Sequence, residues 1–171
     1  MENLGIYLAL KSVQDGHLQN VKNFVEIGGN INEEVSGTTL IIYAIVYNKL
    51  DILQYLIENG ATTNSLDLVL AVENGRTKIM EHLLKNCPNI DVNYADEKGN
   101  TILISAIDMP NCFLRGDDHI DIIKCLIENG ADVNKKNNKF DSPLVKASYC
   151  HKLHKLDGRI VDLLISQGAI L

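Results

Sequence analysis

The side chains best suited to chemistry stand together in Tyr149-Cys150-His151-Lys152-Leu153-His154, where a thiol and two imidazoles share one short segment. Cys112 and His119 form a second such pair upstream. Thiolates and imidazoles hold zinc when three or four converge at roughly 2.0–2.3 Å, and a thiol beside a base is the beginning of a nucleophilic site. These spacings match no closed Cys/His arrangement, and no ordered base with oxyanion donors accompanies either cysteine. Metal binding through Cys150, His151 and His154 is therefore a minor alternative, and no catalytic residue, cofactor or resident metal is expected. Asp117, Asp118 and Asp121 lack the spaced ladder and closing Glu of a calcium loop. They read as the acidic start of a helix, where carboxylates face the positive end of the helix dipole. Gly28-Gly29-Asn30 does not match a phosphate loop, so nucleotide binding is not expected.

The elements that must carry these residues are constrained by composition. With 46% hydrophobic and 22% charged residues the chain is that of a folded globular protein, but no Trp and only three Phe leave Leu, Ile, Val and Ala to build the core. That mixture favours closely packed helices. No apolar run reaches the roughly 18–20 residues of a membrane span, and the N-terminus lacks the features of a secretory signal. Four scattered cysteines, Cys87, Cys112, Cys125 and Cys150, suit a reducing compartment, so a cytoplasmic location without disulfides is expected. The net charge of −6 is unevenly spread: nine basic residues against nineteen acidic up to Val133, seven against three from Asn134 onward. Lys135, Lys136, Lys139, Lys146, Lys152, Lys155 and Arg159 are poorly interleaved with aromatics, so neither nucleic acid nor membrane is expected as partner.

A duplicated phrase shows how the elements are arranged. The chain reads Tyr-Leu-Ile-Glu-Asn-Gly-Ala at 55–61 and Cys-Leu-Ile-Glu-Asn-Gly-Ala at 125–131. Aligned on this phrase, segments of similar pattern close at Asn32, Asn64, Asn93, Asn134 and the last residue. Each carries apolar residues at helical spacing, as in Ile52, Leu53, Leu56 and Ile57. Each is preceded by a second apolar run with a small residue three positions on: Ile41 and Ala44, Leu68 and Ala71, Leu103 and Ala106, Leu144 and Ala147. In the first unit Ala9 and Ser12 fall there. One unit is therefore a pair of short amphipathic helices, packed closely at the small residue and stopped by a glycine such as Gly60 or Gly130.

Gly37-Thr38-Thr39 leading to Ala44, Gly99-Asn100-Thr101 to Ala106, Ser142-Pro143-Leu144 to Ala147, and Gly16-His17 resemble the ankyrin repeat across essentially the whole chain. The resemblance implies an all-α fold: an ankyrin-repeat solenoid of about five helix-turn-helix units with short β-hairpin loops, in one domain over 1–171. The units run approximately 1–32, 33–64, 65–93, 94–134 and 135–171. Stacked units of this kind draw stability from their mutual interfaces.

The spacing of the closing asparagines is 32, 29 and 41, against a family period of about 33. The third unit is too short between Asn64 and Ala71 to form a projecting hairpin, and it carries Cys87 where glycine is usual. Extra residues lengthen the inter-helix connections in the fourth and fifth units, making loops 109–119 and 149–158 alternative contact sites. Thr39-Leu40-Ile41-Ile42 and Thr101-Ile102-Leu103-Ile104 replace the family's Pro and His with apolar residues, which predicts internal packing, with an exposed apolar strip as the alternative.

The resemblance also implies function: a non-catalytic module binding a partner protein on a concave face made of hairpin tips and first-helix ends, acting as an adaptor or inhibitor. The hairpin positions are Val35, Ser36 and Thr38, then Glu97, Lys98 and Asn100, then Asn138, Lys139 and Asp141. The helix-end positions are Gln14, Asp15, Val46, Tyr47, Glu73, Asn74, Asp108, Met109, Tyr149 and Cys150, with Tyr47, Met109 and Tyr149 as the expected anchors. Asn93 and Asn134 match the context in which an asparaginyl hydroxylase modifies ankyrin proteins. Heavy use of Ile, Asn and Lys with irregular units resembles ankyrin proteins of large DNA viruses and intracellular bacteria, which implies a host protein as partner. An inhibitor of a signalling kinase or transcription factor in its own cell is the alternative. Ile160, Val161, Leu163, Leu164 and Ile165 keep the last unit apolar, which leaves two readings: that end is buried by another chain, self-association included, or the protein tolerates an apolar edge.

Overall fold

The computed structural model describes residues 4–109, 117–152 and 157–170. Those residues form ten helices: α1 (Leu4–Asp15), α2 (Leu18–Glu26), α3 (Leu40–Val46), α4 (Leu50–Glu58), α5 (Ser65–Glu73), α6 (Thr77–Asn86), α7 (Ile102–Asp108), α8 (Asp117–Glu128), α9 (Pro143–Lys152) and α10 (Gly158–Ser166). Consecutive helices pack as pairs, α1 on α2 through α9 on α10. Odd-numbered helices pack on one another in chain order to form one layer, and even-numbered helices form the other. The result is the all-α solenoid expected, with the hairpin loops reduced to isolated antiparallel bridges, Val35 with Thr38 and Ala95 with Thr101.

The core is aliphatic. Ile6, Leu40, Ile52, Leu56, Leu68, Ile79, Leu83, Leu103 and Leu126 are buried along its length. Burying each such side chain contributes about 1.5–3 kcal/mol, which is why the stack needs no large aromatic centre. Ala44, Ala71, Ala106 and Ala147 are fully enclosed at the helix crossings, where a larger residue would push the pair apart. The apolar substitutions after Thr39 and Thr101 are mostly internal packing: Leu40, Ile41, Ile102, Leu103 and Ile104 are buried, while Ile42, in the histidine position, is half-buried.

Polar side chains set the boundaries of the first helices. Thr39 Oγ1 accepts the Ile42 backbone N–H at 3.4 Å, Thr101 Oγ1 that of Ile104 at 3.2 Å, and Ser142 Oγ that of Val145 at 3.3 Å. Each satisfies a donor that a helix start leaves without an internal partner. The second helices stop at Gly60 and Gly130, whose φ values of 91° and 90° lie where a Cβ would be strained.

Asparagine ties each unit to the next. Asn32 donates its side-chain N–H to the Gly60 carbonyl at 3.0 Å and accepts the Thr62 backbone N–H at 2.8 Å. Asn93 bonds Gly130 and Asp132 in the same way, at 2.9 and 2.7 Å. Asn134 repeats it with Gly168 and Ile170, at 3.1 and 2.9 Å. The joint between the second and third units departs from this rule. With no projecting hairpin before α5, Asn64 is used as its N-cap in a capping box with Asp67. Ser65 Oγ accepts the Asp91 backbone N–H at 2.9 Å, which closes the third unit on itself. The tie across this joint comes from Arg76, which donates to the Val46 carbonyl at 2.7 Å.

Candidate functional site

Fingers and first helices share one face because each finger runs directly into its helix. In the first finger, Val35 and Thr38 exchange both backbone hydrogen bonds, at 2.9 and 3.0 Å, around Ser36 and Gly37. Both of these have positive φ, 52° and 78°, the two-residue turn whose twist matches paired extended chains. In the second finger the Asp96 carboxylate accepts the backbone N–H groups of Lys98 at 2.9 Å and Asn100 at 2.8 Å. Slight burial pushes that carboxyl upward, but the hydrogen bonds from Asn100 and Lys98 and the Lys98 charge outweigh it and hold the group below its usual range. Asn137 plays the same part in the third finger, its side-chain oxygen accepting from Lys139 at 2.9 Å and Asp141 at 3.0 Å.

The second and third fingers are joined. Asn138 donates its backbone N–H to the Lys98 carbonyl at 3.0 Å and its side-chain N–H to the Glu97 carbonyl at 3.1 Å, while Asn137 donates to Asn100 Oδ1 at 2.8 Å. Gly99 permits this approach, since a Cβ there would lie 2.9 Å from the Asn138 backbone nitrogen. Lys98, Asn138 and Lys139 are exposed on this shared platform.

On the helices, the expected anchors separate. Tyr149 is 61% exposed and Tyr47 39%, the latter leaning on Tyr43 with ring centroids 5.3 Å apart. Met109 is half-buried and packs against the core, so it is a covering residue more than an anchor. Cys150 is a correction: at 6% exposure its thiol points inward, with Sγ 3.8 Å from Asp108 Oδ1. Lys146 Nζ meets the other oxygen of Asp108 at 2.8 Å, and that bond above all raises the Lys146 pKa. Asp15 is paired with Lys11 at 3.1 Å, and Asn74 donates to the Leu70 carbonyl at 2.8 Å. Gln14 lines a groove of about 350 Å³ with Tyr7, Leu10 and Lys11 of α1 and Val35, Ser36, Thr38 and Tyr43 beyond it. Val46 is half-buried and Glu73 exposed.

Three residues that sequence reasoning passed over belong to this face: Tyr7, Tyr43 and Phe140. Tyr7 and Tyr43 lie inside first helices, away from the helix-end positions that the family pattern marks for contact. Phe140 was legible in principle, because aligning Asn137–Ser142 on Asp96–Thr101 places it where Gly99 stands.

The residues set apart for chemistry are dispersed into structural roles. His119 is buried, and its Nε2 lies 2.8 Å from the Ala106 carbonyl. The equivalent carbonyls of Ala44 and Ala71 accept backbone N–H groups from Lys49 and Arg76, both at 2.8 Å. In the fourth unit the imidazole of His119 meets the corresponding carbonyl. His151 is exposed at the end of α9. Cys112 and His154 lie outside the described residues. Among the described residues no group of three or more His, Cys, Asp or Glu side chains is placed to hold a metal ion. The half-buried Cys125 thiol is pushed up, chiefly by burial and then by the charges of Glu81 and Glu128, which disfavours the thiolate. Asp117 opens α8, the role expected of that acidic run. Asn93 and Asn134 hold inter-unit bridges through both ends of their amides.

Paired helices in two layers, asparagine-bridged units and a row of fingers define a repeat protein whose surface is built for contact. Family models described as ankyrin repeat and ankyrin repeats (3 copies) match residues 36–68 and 68–137, and the chain belongs to the ankyrin-repeat family. It is similar to alpha-latrocrustotoxin-Lt1a of Latrodectus tredecimguttatus, 34% identical over 74% of this chain and 9% of the toxin. It is also similar to the protein VAPYRIN-LIKE of Medicago truncatula, 29% identical over 72% of this chain and 26% of that one. The ANK repeat-containing protein nipk-1 of Caenorhabditis elegans is 26% identical over 93% of this chain and 26% of its own length. The chain thus spans about a quarter or less of the curated relatives it matches. The matched repeats indicate a protein–protein interaction module. Among the described residues no helix is long and apolar enough to cross a membrane.

Proposed function

We propose that the chain is a non-catalytic cytoplasmic module that grips one partner protein across its fingers and first helices, as an adaptor or an inhibitor that occludes that partner. The observation that carries this reading is the pair of tyrosines, Tyr47 on the second unit and Tyr149 on the fifth, exposed on first-helix ends of a protein whose core is largely aliphatic. Rigid amphipathic rings of this kind supply contact area at small entropic cost, and they dominate interfaces where they occur. The irregular units, with one finger absent and two connections lengthened, support specialisation for one partner. A viral or bacterial factor directed at a host-cell protein is the setting we favour.

Replacing both tyrosines tests the reading. Tyr47→Ala with Tyr149→Ala is expected to weaken partner capture from host-cell extract by about tenfold or more while leaving the melting curve in place. Undiminished capture, or a collapse of the melting transition, would remove them from the binding face.

A further inference from the structure

Three asparagines in the chain are followed by glycine: Asn59-Gly60, Asn74-Gly75 and Asn129-Gly130. Such a pair carries its own chemistry. Glycine has no side chain to shield its backbone nitrogen, so once that nitrogen gives up its proton to water or hydroxide it can attack the asparagine Cγ. A bond forms from nitrogen to Cγ, the Cγ–Nδ2 bond breaks and ammonia leaves. Water then opens the cyclic imide at either carbonyl, leaving an aspartate or, with the main chain rerouted through the side chain, an isoaspartate.

The fold restrains all three pairs locally. Each asparagine closes a helix by donating its amide back to the carbonyl four residues before, Asn59 to Tyr55, Asn74 to Leu70 and Asn129 to Cys125, all at 2.8 Å. The glycine nitrogens that would have to attack are themselves engaged, donating to the carbonyls of Ile57 at 3.1 Å, Val72 at 2.9 Å and Ile127 at 2.9 Å. Two of the pairs carry a further restraint from the preceding unit. The Gly60 carbonyl accepts the Asn32 amide at 3.0 Å, and the Gly130 carbonyl accepts that of Asn93 at 2.9 Å. Asn74-Gly75 lies instead in the turn between α5 and α6, outside the asparagine bridges. Asn59 and Asn129 are exposed, so water reaches both.

We propose that Asn59 and Asn129 are latent deamidation sites guarded by the inter-unit bridges of Asn32 and Asn93, and that opening a joint commits its own Asn-Gly pair to irreversible conversion. The product undoes the arrangement that prevented it. An aspartate has no N–H to donate to the carbonyl of Tyr55 or Cys125, and it puts a negative charge at the negative end of the helix. An isoaspartate lengthens the main chain beside the very carbonyl that the bridge holds. Each of these joints therefore keeps a one-way chemical record of having opened, in a solenoid whose stability resides in its joints. The proposal is independent of which partner the module binds.

The test incubates the full chain in mildly alkaline buffer beside Asn93→Ala, Asn93→Asp and Asn32→Ala, and follows the conversion of amide to acid at positions 59, 74 and 129 by peptide mass spectrometry. Asn93→Asp keeps an oxygen for the Asp132 N–H and loses only the donor to Gly130, so it carries the comparison if Asn93→Ala does not fold. A bridge amounts to one or two hydrogen bonds, so either Asn93 variant is expected to convert position 129 about five- to thirtyfold faster, with 59 and 74 unchanged. Asn32→Ala should do the same at 59 alone. That selectivity is the mark of local opening at one joint. Acceleration at all three positions together would show general unfolding and overturn the proposal. So would unchanged rates in every variant, or an original chain that converts at 59 and 129 as fast folded as it does unfolded in guanidinium.

Discussion

His119 shows how an insertion is tolerated at the level of one side chain. Two units close their helix pair by a backbone N–H donated to an alanine carbonyl, and in the fourth unit the same carbonyl is met by an imidazole at 2.8 Å. Removing the ring strands a buried acceptor, which costs about 1–3 kcal/mol. His119→Ala is expected to lower stability by that amount in urea unfolding, and a variant as stable as the original would show that water or backbone fills the gap. Residues of this kind were the least legible in the sequence. Histidine and cysteine beside inserted loops keep a ligand reading open as a minor alternative because their chemistry allows it, and only geometry reveals that His119 faces a carbonyl and Cys150 faces Asp108. Phe140 escaped for the opposite reason: an aromatic on a loop carries no periodic signal, and its left-handed φ shows only in the structure.

At the scale of elements, the helices were legible because apolar spacing, the enclosed alanines and the glycine stops all point to the same arrangement. The same alignment brings Thr39 and Thr101 into register, and the structure shows both capping their helices. What alignment does not reveal is how α5 starts without a finger. Its capping box buries Asp67, and burial raises the carboxyl pKa against the opposing pull of the Asn64 backbone N–H. A raised folded-state value means that the folded chain binds more protons than the unfolded one between the ordinary carboxyl range and the raised value. Stability contributed by this group is therefore greatest in acid and falls as pH rises through that window. Asp67→Asn keeps an oxygen acceptor for Asn64 without the charge. Its stability relative to the original chain should increase across the same pH range in urea titrations, and a parallel pair of curves would show that the carboxylate is not penalised.

At the scale of the whole molecule, stability is the sum of pairs and the joints between them. Asn93 holds the third unit to the fourth with two hydrogen bonds, so Asn93→Ala should cost about 1–3 kcal/mol and broaden the unfolding transition as the array uncouples there. A sharp transition at an unchanged midpoint would mean that the aliphatic stack alone sets cooperativity. This additive design was legible from the duplicated phrase, because a motif that recurs with its closing asparagine implies a joint that recurs. The exception was not: nothing in the run Asn64-Ser65 announces that the asparagine turns to capping α5 and leaves the joint to Arg76.

The helix α5 begins directly at Ser65, with no projection ahead of it, while its neighbours on either side carry one at 35–38 and 95–101. The row of teeth along this flank therefore has a notch. A visiting chain laid lengthwise meets an uneven rail, whereas one crossing sideways at the third unit finds a clear threshold bounded by Ser36 on one side and Lys98 on the other.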